Sequence, residues 1–322
     1  IEDTIKLNSD FALHPRLIGF NKCWNENTGT IVHATSIPYK QRSHFEGQNL
    51  MESGGRVPYQ EKTGWVGRAM KLANLQGDGL ALSLPMPLLL RGIPKNNNYF
   101  PTWGRLPRKD TLDLLKSVYA DSSEDELLQM MDFIKKRKDE QMMGGTGGGD
   151  RQKNKNLARQ AAKYLRKSDG PRVAVFEVNG FDTHAAQGGV DGTHTECLVE
   201  MDEIINNLRD NLQEAYKDTI ILTVTEFGRT IKQNGGNGTE HGYGTAIFMA
   251  GGLLKKSQVH TDWPGLKRKE LYDGSDLNAT IDARSVYASA MSTVFDLDFK
   301  RIQKDVFWGE DLQNLSDKLF KA

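Results

Sequence analysis

Two apolar strands separated by a long amphipathic helix constrain the fold of this 322-residue chain more than any other feature. The sequence predicts the strands over 172–178 and 219–225, with a helix over 195–216 between them. Strands that are apolar throughout are typical of a parallel sheet covered by helices on both faces. A third apolar strand is predicted over 246–250. The chain is therefore predicted to be an α/β protein in which the first two strands form a parallel pair.

The rest of the chain contains further helical and strand patterns. Ser43 is predicted to cap a helix that runs toward Glu52, because Glu46 three residues later completes the pattern of a capping box. In chain order, the other predicted elements are a helix over 13–24, a strand over 30–35, a helix over 64–75, irregular structure over 85–107, and helices over 111–119, 125–142 and 157–167.

A run of glycines at 144–149 could in principle cradle a phosphate group. However, no apolar strand precedes this run and no Gly-Lys-Ser/Thr follows it, so a flexible link between two helices is the preferred interpretation. We predict a single domain over 1–322 with a mostly helical insertion at about 85–168, and the glycine-rich link lies inside that insertion.

The charge balance excludes several classes of protein. The chain has 42 basic and 42 acidic side chains, so it has no broad basic surface for nucleic acid. Its longest apolar run, at 80–90, contains Pro85 and Pro87 and is far shorter than the roughly 20 residues that span a bilayer. Two distant cysteines, Cys23 and Cys197, cannot form a zinc-finger set. We therefore predict neither nucleic-acid binding nor a transmembrane segment.

Acidic and histidine side chains lie next to all three of the predicted strands in the second half. Ligands of open parallel sheets bind beyond the carboxyl ends of the strands. Carboxylate oxygen and imidazole nitrogen are common ligands of Zn, Mn and Fe, so these side chains indicate either a metal centre or a structural polar cluster. The candidate residues are Asp182, His184, Glu226, Arg229, Glu240 and His241.

A second group of candidate residues lies at the start of the predicted helix at 43–52. Arg42 and His44 flank the helix start, where free backbone N–H groups and the helix dipole favour a bound anion. The alternative is an ordinary capped helix in which His44 only packs or caps.

Six motifs resemble those of a known family. They are FALHP at 11–15, RSHFEGQ at 42–48, GWVGR at 64–68, GFDTH at 180–184, TEFGRT at 225–230 and GTEHG at 238–242. In this order they resemble the exported bacterial family called domain of unknown function 1501, within the alkaline-phosphatase-like superfamily. The similarity extends over about 7–298.

The resemblance implies a fold, a location and a metal site. The implied fold is an alkaline-phosphatase-like three-layer sandwich, with a mostly parallel central sheet and helices on both faces. The implied location is periplasmic or extracellular. The resemblance also implies a divalent metal ion, with Zn, Mn, Ca and Fe all open. Its expected ligands are Asp182, His184, Glu226 and His241, with Glu240 beside them.

Two functions are compatible with this resemblance. The first is a metal-dependent hydrolase that acts on a phosphate or sulfate ester, with His44, Arg42 and Arg229 stabilising the ester oxygens. The second is a non-catalytic exported module that binds or supports other molecules. Phe227 stands where the superfamily usually has a histidine, and the N-terminal strand that carries the nucleophile is expected but not found before Asp10. A small anionic ester or a glycan is the expected partner, and protein partners are not predicted.

Overall fold

The computed structural model describes residues 3–99 and 150–321, together with 111, 113–115 and 117. The chain divides into two compact units, one of Ile1–Tyr99 with Asn154–Ala322 and another of Phe100–Lys153. In the second unit, the few described residues are helical, as predicted for 111–119. The predicted helix at 125–142 and the glycine run at 144–149 lie outside the described residues. The domain boundaries proposed from the sequence remain a prediction.

The first unit consists of short strands and helices in alternation. Its strands are β1 (Ile5–Lys6), β2 (Ala12–Leu13), β3 (Gly29–Ser36), β4 (Gly79–Leu82), β5 (Asn97–Tyr99), β6 (Val173–Val175), β7 (Ile221–Leu222), β8 (Gly228–Arg229), β9 (His241–Gly242), β10 (Thr245–Ala250), β11 (Gln258–His260) and β12 (Ile281–Asp282). Its helices are α1 (Ile18–Asn25), α2 (His44–Ser53), α3 (Trp65–Leu72), α4 (Asp150–Leu165, which begins in the second unit), α5 (Thr193–Leu212), α6 (Ala283–Val294), α7 (Phe299–Asp305) and α8 (Ser316–Leu319). Short 3₁₀ helices occupy Leu88–Leu90, Gln213–Asp218 and Arg268–Glu270.

Two sheets contain most of the strands. In the larger one, the order is β11-β3-β10-β7; β10 runs antiparallel to both of its neighbours, whereas β11 and β12 run parallel to β3. The smaller sheet has the order β5-β4-β6 and is parallel throughout. Two antiparallel pairs, β1-β2 and β8-β9, form separate two-stranded sheets. The protein is therefore a mixed α/β structure with a small parallel sheet.

The parallel pair predicted between the strands at 172–178 and 219–225 does not form among the described residues. β6 pairs with β4, whereas β7 pairs antiparallel with β10. An apolar run indicates that a strand is buried on both faces, but it does not indicate which strand lies beside it. This pairing prediction was therefore wrong, although both strands exist in shortened form.

β6 and β7 nevertheless contribute to the same buried clusters. Val173, Val175 and Leu222 pack against the largest apolar cluster. Ala174 and Ile221, which neighbour these residues in the strands and so face the opposite side, pack against the second cluster. Because successive residues of a strand face opposite sides, both strands lie between these two clusters.

Helices cover both faces of the strands. On one face, Leu50 of α2, Met70 of α3 and Tyr287 of α6 form the largest cluster with Val32 of β3 and Met249 of β10. Burial of large apolar side chains of this kind contributes about 1.5–3 kcal/mol each to stability.

The opposite face is covered by α1, α4 and α5. Leu82 of β4 clusters with Ala158 and Leu208, and Ile31 of β3 clusters with Phe20. The start of α1 is held by the buried carboxylate of Asp202 in α5, which accepts the backbone N–H groups of Gly19 and Phe20 at 2.7 and 2.6 Å.

Several local predictions from the sequence are confirmed. β3, α2 and α3 occupy the predicted regions, and the strand predicted at 246–250 is β10. The helix predicted over 13–24 is α1, but it begins only at Ile18, and Leu13 lies in β2. The capping box is an exception, because Ser43 is the N-cap of α2 but its side chain makes no capping hydrogen bond. Glu46 instead accepts a hydrogen bond of 2.9 Å from the hydroxyl of Tyr39. Among the described residues, no helix is long and apolar enough to cross a membrane.

Candidate metal centre

Three histidines from three separate segments converge on one carboxylate. His44 is the first residue of α2, His184 lies in the loop after β6, and His241 lies in β9. The Nε2 atoms of His184 and His241 are 2.9 and 3.0 Å from Asp182 Oδ1. The Nε2 atom of His44 is 3.3 Å from Asp182 Oδ2. Asp182 is therefore the common neighbour of all three imidazole rings.

The other nitrogen of each ring contacts a hydrogen-bond acceptor. His44 Nδ1 is 2.6 Å from Glu226 Oε1, and His184 Nδ1 is 3.0 Å from Glu240 Oε2. His241 Nδ1 is 2.8 Å from the main-chain oxygen of Arg42. Carboxylates and carbonyls only accept hydrogen bonds, so a neutral ring that donates to one of these partners carries its proton on Nδ1. In a neutral ring with this tautomer, Nε2 carries a lone pair and no proton.

When the proton of each ring is on Nδ1, the centre brings hydrogen-bond acceptors face to face. His184 Nε2 and His241 Nε2 lie 3.0 Å apart, and both point at the carboxylate of Asp182. The Nε2 atom of His44 is buried and has no hydrogen-bond partner among the residues that the structure describes. Lone pairs in this arrangement repel one another unless extra protons or a cation lie between them.

This donor set fits a metal ion. His44, Asp182 and His241 each offer a ligand atom, and those atoms lie within 4.8 Å of one another, so the group could hold a cation. Two ligands about 2.1 Å from one ion are about 3.0 Å apart at right angles and about 3.4 Å apart in a tetrahedral site. The separations between His184, His241 and Asp182 are 2.9–3.0 Å. The geometry is therefore compatible with shared coordination of one ion.

The carboxyl of Asp182 is ionised at neutral pH. Burial alone raises its pKa, but the hydrogen bond from Arg229 and the neighbouring rings of His241 and His184 outweigh burial and lower the pKa to about 2. Arg229 Nη1 lies 2.6 Å from Asp182 Oδ1. The pKa of Glu240 is also lowered, first by the hydrogen bond from Asn234 and then, against a small burial effect, by His184. The centre thus combines the carboxylates of Asp182, Glu226 and Glu240 with three histidine rings.

The backbone of the 234–241 loop lies directly against the loop that carries His184. Thr239 N donates to Thr183 O at 3.1 Å, and the side-chain amide of Asn234 donates to His184 O at 2.9 Å. A Cβ atom on Gly238 would lie only 2.3 Å from the carbonyl carbon of His184. Only glycine permits this approach at position 238.

A buried phenyl ring supports two of the imidazoles. Phe227 is 6 % exposed, and its ring centroid lies 4.9 Å from that of His44 and 4.7 Å from that of His241. Arg229 lies opposite His241 in the β8-β9 pair. Both contacts restrict the orientation of the rings.

The two arginines proposed as oxyanion contacts are bound within the protein. Arg229 contacts Asp182, and it also donates to the side-chain and main-chain oxygens of Thr239. The guanidinium of Arg42 donates to Asp276 at 2.8 Å. Glu226, proposed as a ligand, lies beside Nδ1 of His44. His44, proposed as a catalytic residue, lies inside the histidine cluster.

Sequence reasoning missed two residues that organise the centre. Asn234 bonds to His184 O, to Glu240 and to the N–H groups of Gly236 and Gly238. The other is Asp276, the buried partner of Arg42. The run Asn-Gly-Gly-Asn-Gly at 234–238 is a turn signal that could have identified Asn234, whereas nothing local distinguishes Asp276.

Comparison with known proteins gives one match. A family model described as "Protein of unknown function (DUF1501)" matches residues 27–303. No curated protein and no solved structure matches the chain.

Proposed function

Because the chain belongs to the DUF1501 family, whose description assigns no activity, we propose its function from the candidate metal centre: a metal-dependent hydrolase that acts on a phosphate or sulfate ester. One observation carries the proposal. Three imidazole Nε2 atoms converge on the ionised carboxylate of Asp182, while the Nδ1 atom of each ring contacts a hydrogen-bond acceptor on the other side. A cation is the partner that satisfies all four groups together.

His44, Asp182, His184 and His241 would hold the ion. Three nitrogen ligands and one carboxylate favour Zn²⁺ or Fe²⁺ over Ca²⁺, which prefers oxygen ligands. A divalent cation held there supplies Lewis-acid polarisation of an ester oxygen and lowers the pKa of a water molecule. Asp182 and His184 are 43 % and 40 % exposed, so a small ester can reach the centre.

The surrounding residues support this chemistry by fixing the ligands. Glu226 and Glu240 hold the Nδ1 protons of His44 and His184, which keeps each Nε2 lone pair directed inward. Arg229 keeps Asp182 ionised, and its positive charge favours an anionic group beside the carboxylate. The chain has equal numbers of acidic and basic side chains, so this attraction comes from Arg229 and not from the net charge of the protein.

The proposal extends to fold family and location. Helices on both faces of the strands and the six ordered motifs support an alkaline-phosphatase-like sandwich. The same family resemblance supports export to the periplasm or the cell exterior.

A non-catalytic module is the second candidate, and one observation favours it. The guanidinium groups of Arg42 and Arg229 already bond to Asp276, Asp182 and Thr239, so neither is free to bind an ester oxygen without rearrangement. Such a module would hold a metal ion without turning over esters.

Metal analysis and turnover assays test both candidates. The purified chain is stripped with a chelator and reloaded with Zn²⁺, Mn²⁺ or Fe²⁺, and bound metal and hydrolysis of aryl phosphate and aryl sulfate are measured. We expect about one ion per chain, and loss of that ion in Asp182→Ala and His241→Ala.

Asp191→Ala is the matched control, because Asp191 is 84 % exposed and pairs only with Arg16 in the contacts described. This variant should bind metal like the wild-type chain. Unchanged metal content in Asp182→Ala and His241→Ala would reject the metal centre. Metal binding without turnover would favour the module.

A further inference from the structure

Asp276 is a buried carboxylate outside the histidine cluster. It is 0 % exposed. Its Oδ2 accepts a hydrogen bond of 2.8 Å from Arg42 Nη2, and its Oδ1 accepts one of 2.6 Å from Ser275 Oγ. Because a buried charge is costly unless it is paired, Arg42 is held firmly to this position.

The backbone around Asp276 is fixed to the strand that carries Arg229. Asp276 and Tyr272 exchange two main-chain hydrogen bonds, both of 3.0 Å. Asp276 also bridges to Thr230, and Ile231 N donates to Ser275 O at 3.2 Å. The carboxylate therefore belongs to a turn beside β8 that these main-chain hydrogen bonds restrain.

Arg42 connects this anchor to the metal centre through its two ends. Its guanidinium is bound by Asp276, while its main-chain oxygen lies 2.8 Å from Nδ1 of His241. Two residues later, α2 begins at His44, another member of the cluster. Fixing Arg42 thus fixes the acceptor for one histidine and the chain position of the next.

Asp202 provides a comparison within the same protein. It too is a buried carboxylate that joins distant segments, because it accepts the N–H groups of Gly19 and Phe20. Its partners have no contact with the histidine cluster among the described bonds. If Asp276 served stability alone, its loss would resemble the loss of Asp202.

We propose that Asp276 is a positioning residue of the metal centre: by holding Arg42, it fixes the main-chain oxygen that orients His241 and so directs His241 Nε2 toward Asp182. This inference rests on the proposed metal centre. Among the described residues, the carboxylate oxygens of Asp276 bond to Arg42 and Ser275, and of these two Arg42 contacts the histidine cluster.

Cobalt binding tests the proposal, because Co²⁺ replaces Zn²⁺ and its visible absorption reports the number and arrangement of its ligands. The full chain is titrated with Co²⁺ and, in competition with a chelator, with Zn²⁺. We expect Asp276→Ala to weaken metal binding by about 10–100-fold and to change the cobalt spectrum. Asp276→Asn should recover part of the affinity, because its amide oxygen still accepts a hydrogen bond from Arg42.

Two further variants separate positioning from stability. Asp202→Asn should lower stability and leave the affinity and the cobalt spectrum unchanged. Arg42→Ala should weaken binding about as much as Asp276→Ala, and the double variant should be no weaker than the weaker single variant, since both act through one contact. Arg42→Ala carries the same test if Asp276→Ala does not fold.

The experiment distinguishes failure of the positioning role from failure of the proposed metal centre. If the wild-type chain binds neither Co²⁺ nor Zn²⁺, both the metal centre and this inference are rejected. If the wild-type chain binds metal and both Asp276→Ala and Arg42→Ala bind it with the same affinity and spectrum, only the positioning role is rejected.

Discussion

Two clusters of charged side chains in this protein contain similar groups but differ in how donors meet acceptors. Around buried Arg284, the guanidinium donates to Asp282, to Glu310 and to the main-chain oxygen of Gly54. Around Asp182, three imidazole Nε2 atoms face a carboxylate, and the Nδ1 atoms of those rings contact other acceptors on the far side.

The difference shows which cluster satisfies its charges and hydrogen bonds without a further component. The Arg284 cluster pairs its positive charge with two carboxylates, so it stabilises the folded chain without any further component. In the Asp182 cluster, Arg229 pairs with the carboxylate, but the Nε2 atoms of His184 and His241 face each other at 3.0 Å, and that of His44 has no hydrogen-bond partner among the described residues. These nitrogen atoms are what indicate a ligand site.

The largest effect on stability is expected from breaking the Arg284 cluster. Arg284→Ala leaves the carboxylates of Asp282 and Glu310 without their shared partner, and removal of one member of a buried pair costs about 3–5 kcal/mol. Chemical denaturation measures the loss, and metal content per folded chain should not change. Arg16→Ala, which removes an exposed pair with Asp191, should cost less than about 1 kcal/mol. Equal losses in the two variants would contradict the comparison.

A smaller effect is expected from the carboxylates that hold the histidines. Glu226→Ala removes the acceptor for His44 Nδ1 and should weaken metal binding by about 10–100-fold. Glu240→Ala should weaken it less, because Glu240 is 53 % exposed, against 14 % for Glu226, and water can replace it. A chelator competition measures both, with Glu214→Ala as the control because Glu214 is 96 % exposed. Equal affinities in all three variants would show that these carboxylates do not orient the rings.

The smallest effect is expected from acid. The hydrogen bond from Arg56, helped by the charge of Arg284, lowers the pKa of Glu310 although burial opposes it. The pKa of Asp182 is lowered to about 2. Both folded-state values lie below the unfolded values of about 4. The resulting stabilisation is therefore present above about pH 4 and is lost as the pH falls toward 2.

Metal-free Glu310→Gln and Asp182→Asn should each lose less stability than the wild-type chain over this interval. We expect the difference to be less than about 1 kcal/mol for Asp182→Asn, because Asp182 is 43 % exposed and water screens its charge. Denaturation at several pH values measures it. An acid profile identical to that of the wild-type chain in both variants would contradict the lowered pKa values.

The sequence indicated which residues belong to the metal centre better than it indicated how they are arranged. Asp182, His184 and His241 could be grouped because they lie beside predicted strands, and the structure brings them together. Glu226 and Glu240 could not be assigned to opposite sides of the rings, because only the fold shows which nitrogen each carboxylate meets. The same limit applies to Arg42, since a motif does not show that its guanidinium and carbonyl face different partners.

The fold shows a similar division. Helices and strands such as α3 and β10 were predictable from local periodicity, since the pattern reports burial directly. The neighbours of β6 and β7 were not predictable, because strand pairing depends on residues far away in the sequence. The missing capping box at Ser43 has the same origin: Tyr39, whose position depends on the fold, bonds to Glu46 in place of the helix backbone.

The one-sided pairing of β6 and β7 also has a consequence for motion. Among the described residues, β3 and β10 have partners on both sides, whereas β6 and β7 have a ladder on one side only. The amide protons of β6 and β7 should therefore exchange with solvent faster, since local opening there breaks fewer contacts. The loop with Asp182 extends from β6, so an ion shared with His44 and His241 would slow exchange in β6 and leave β3 unchanged. Ligand binding would then be visible as restricted local opening of the weakest strands.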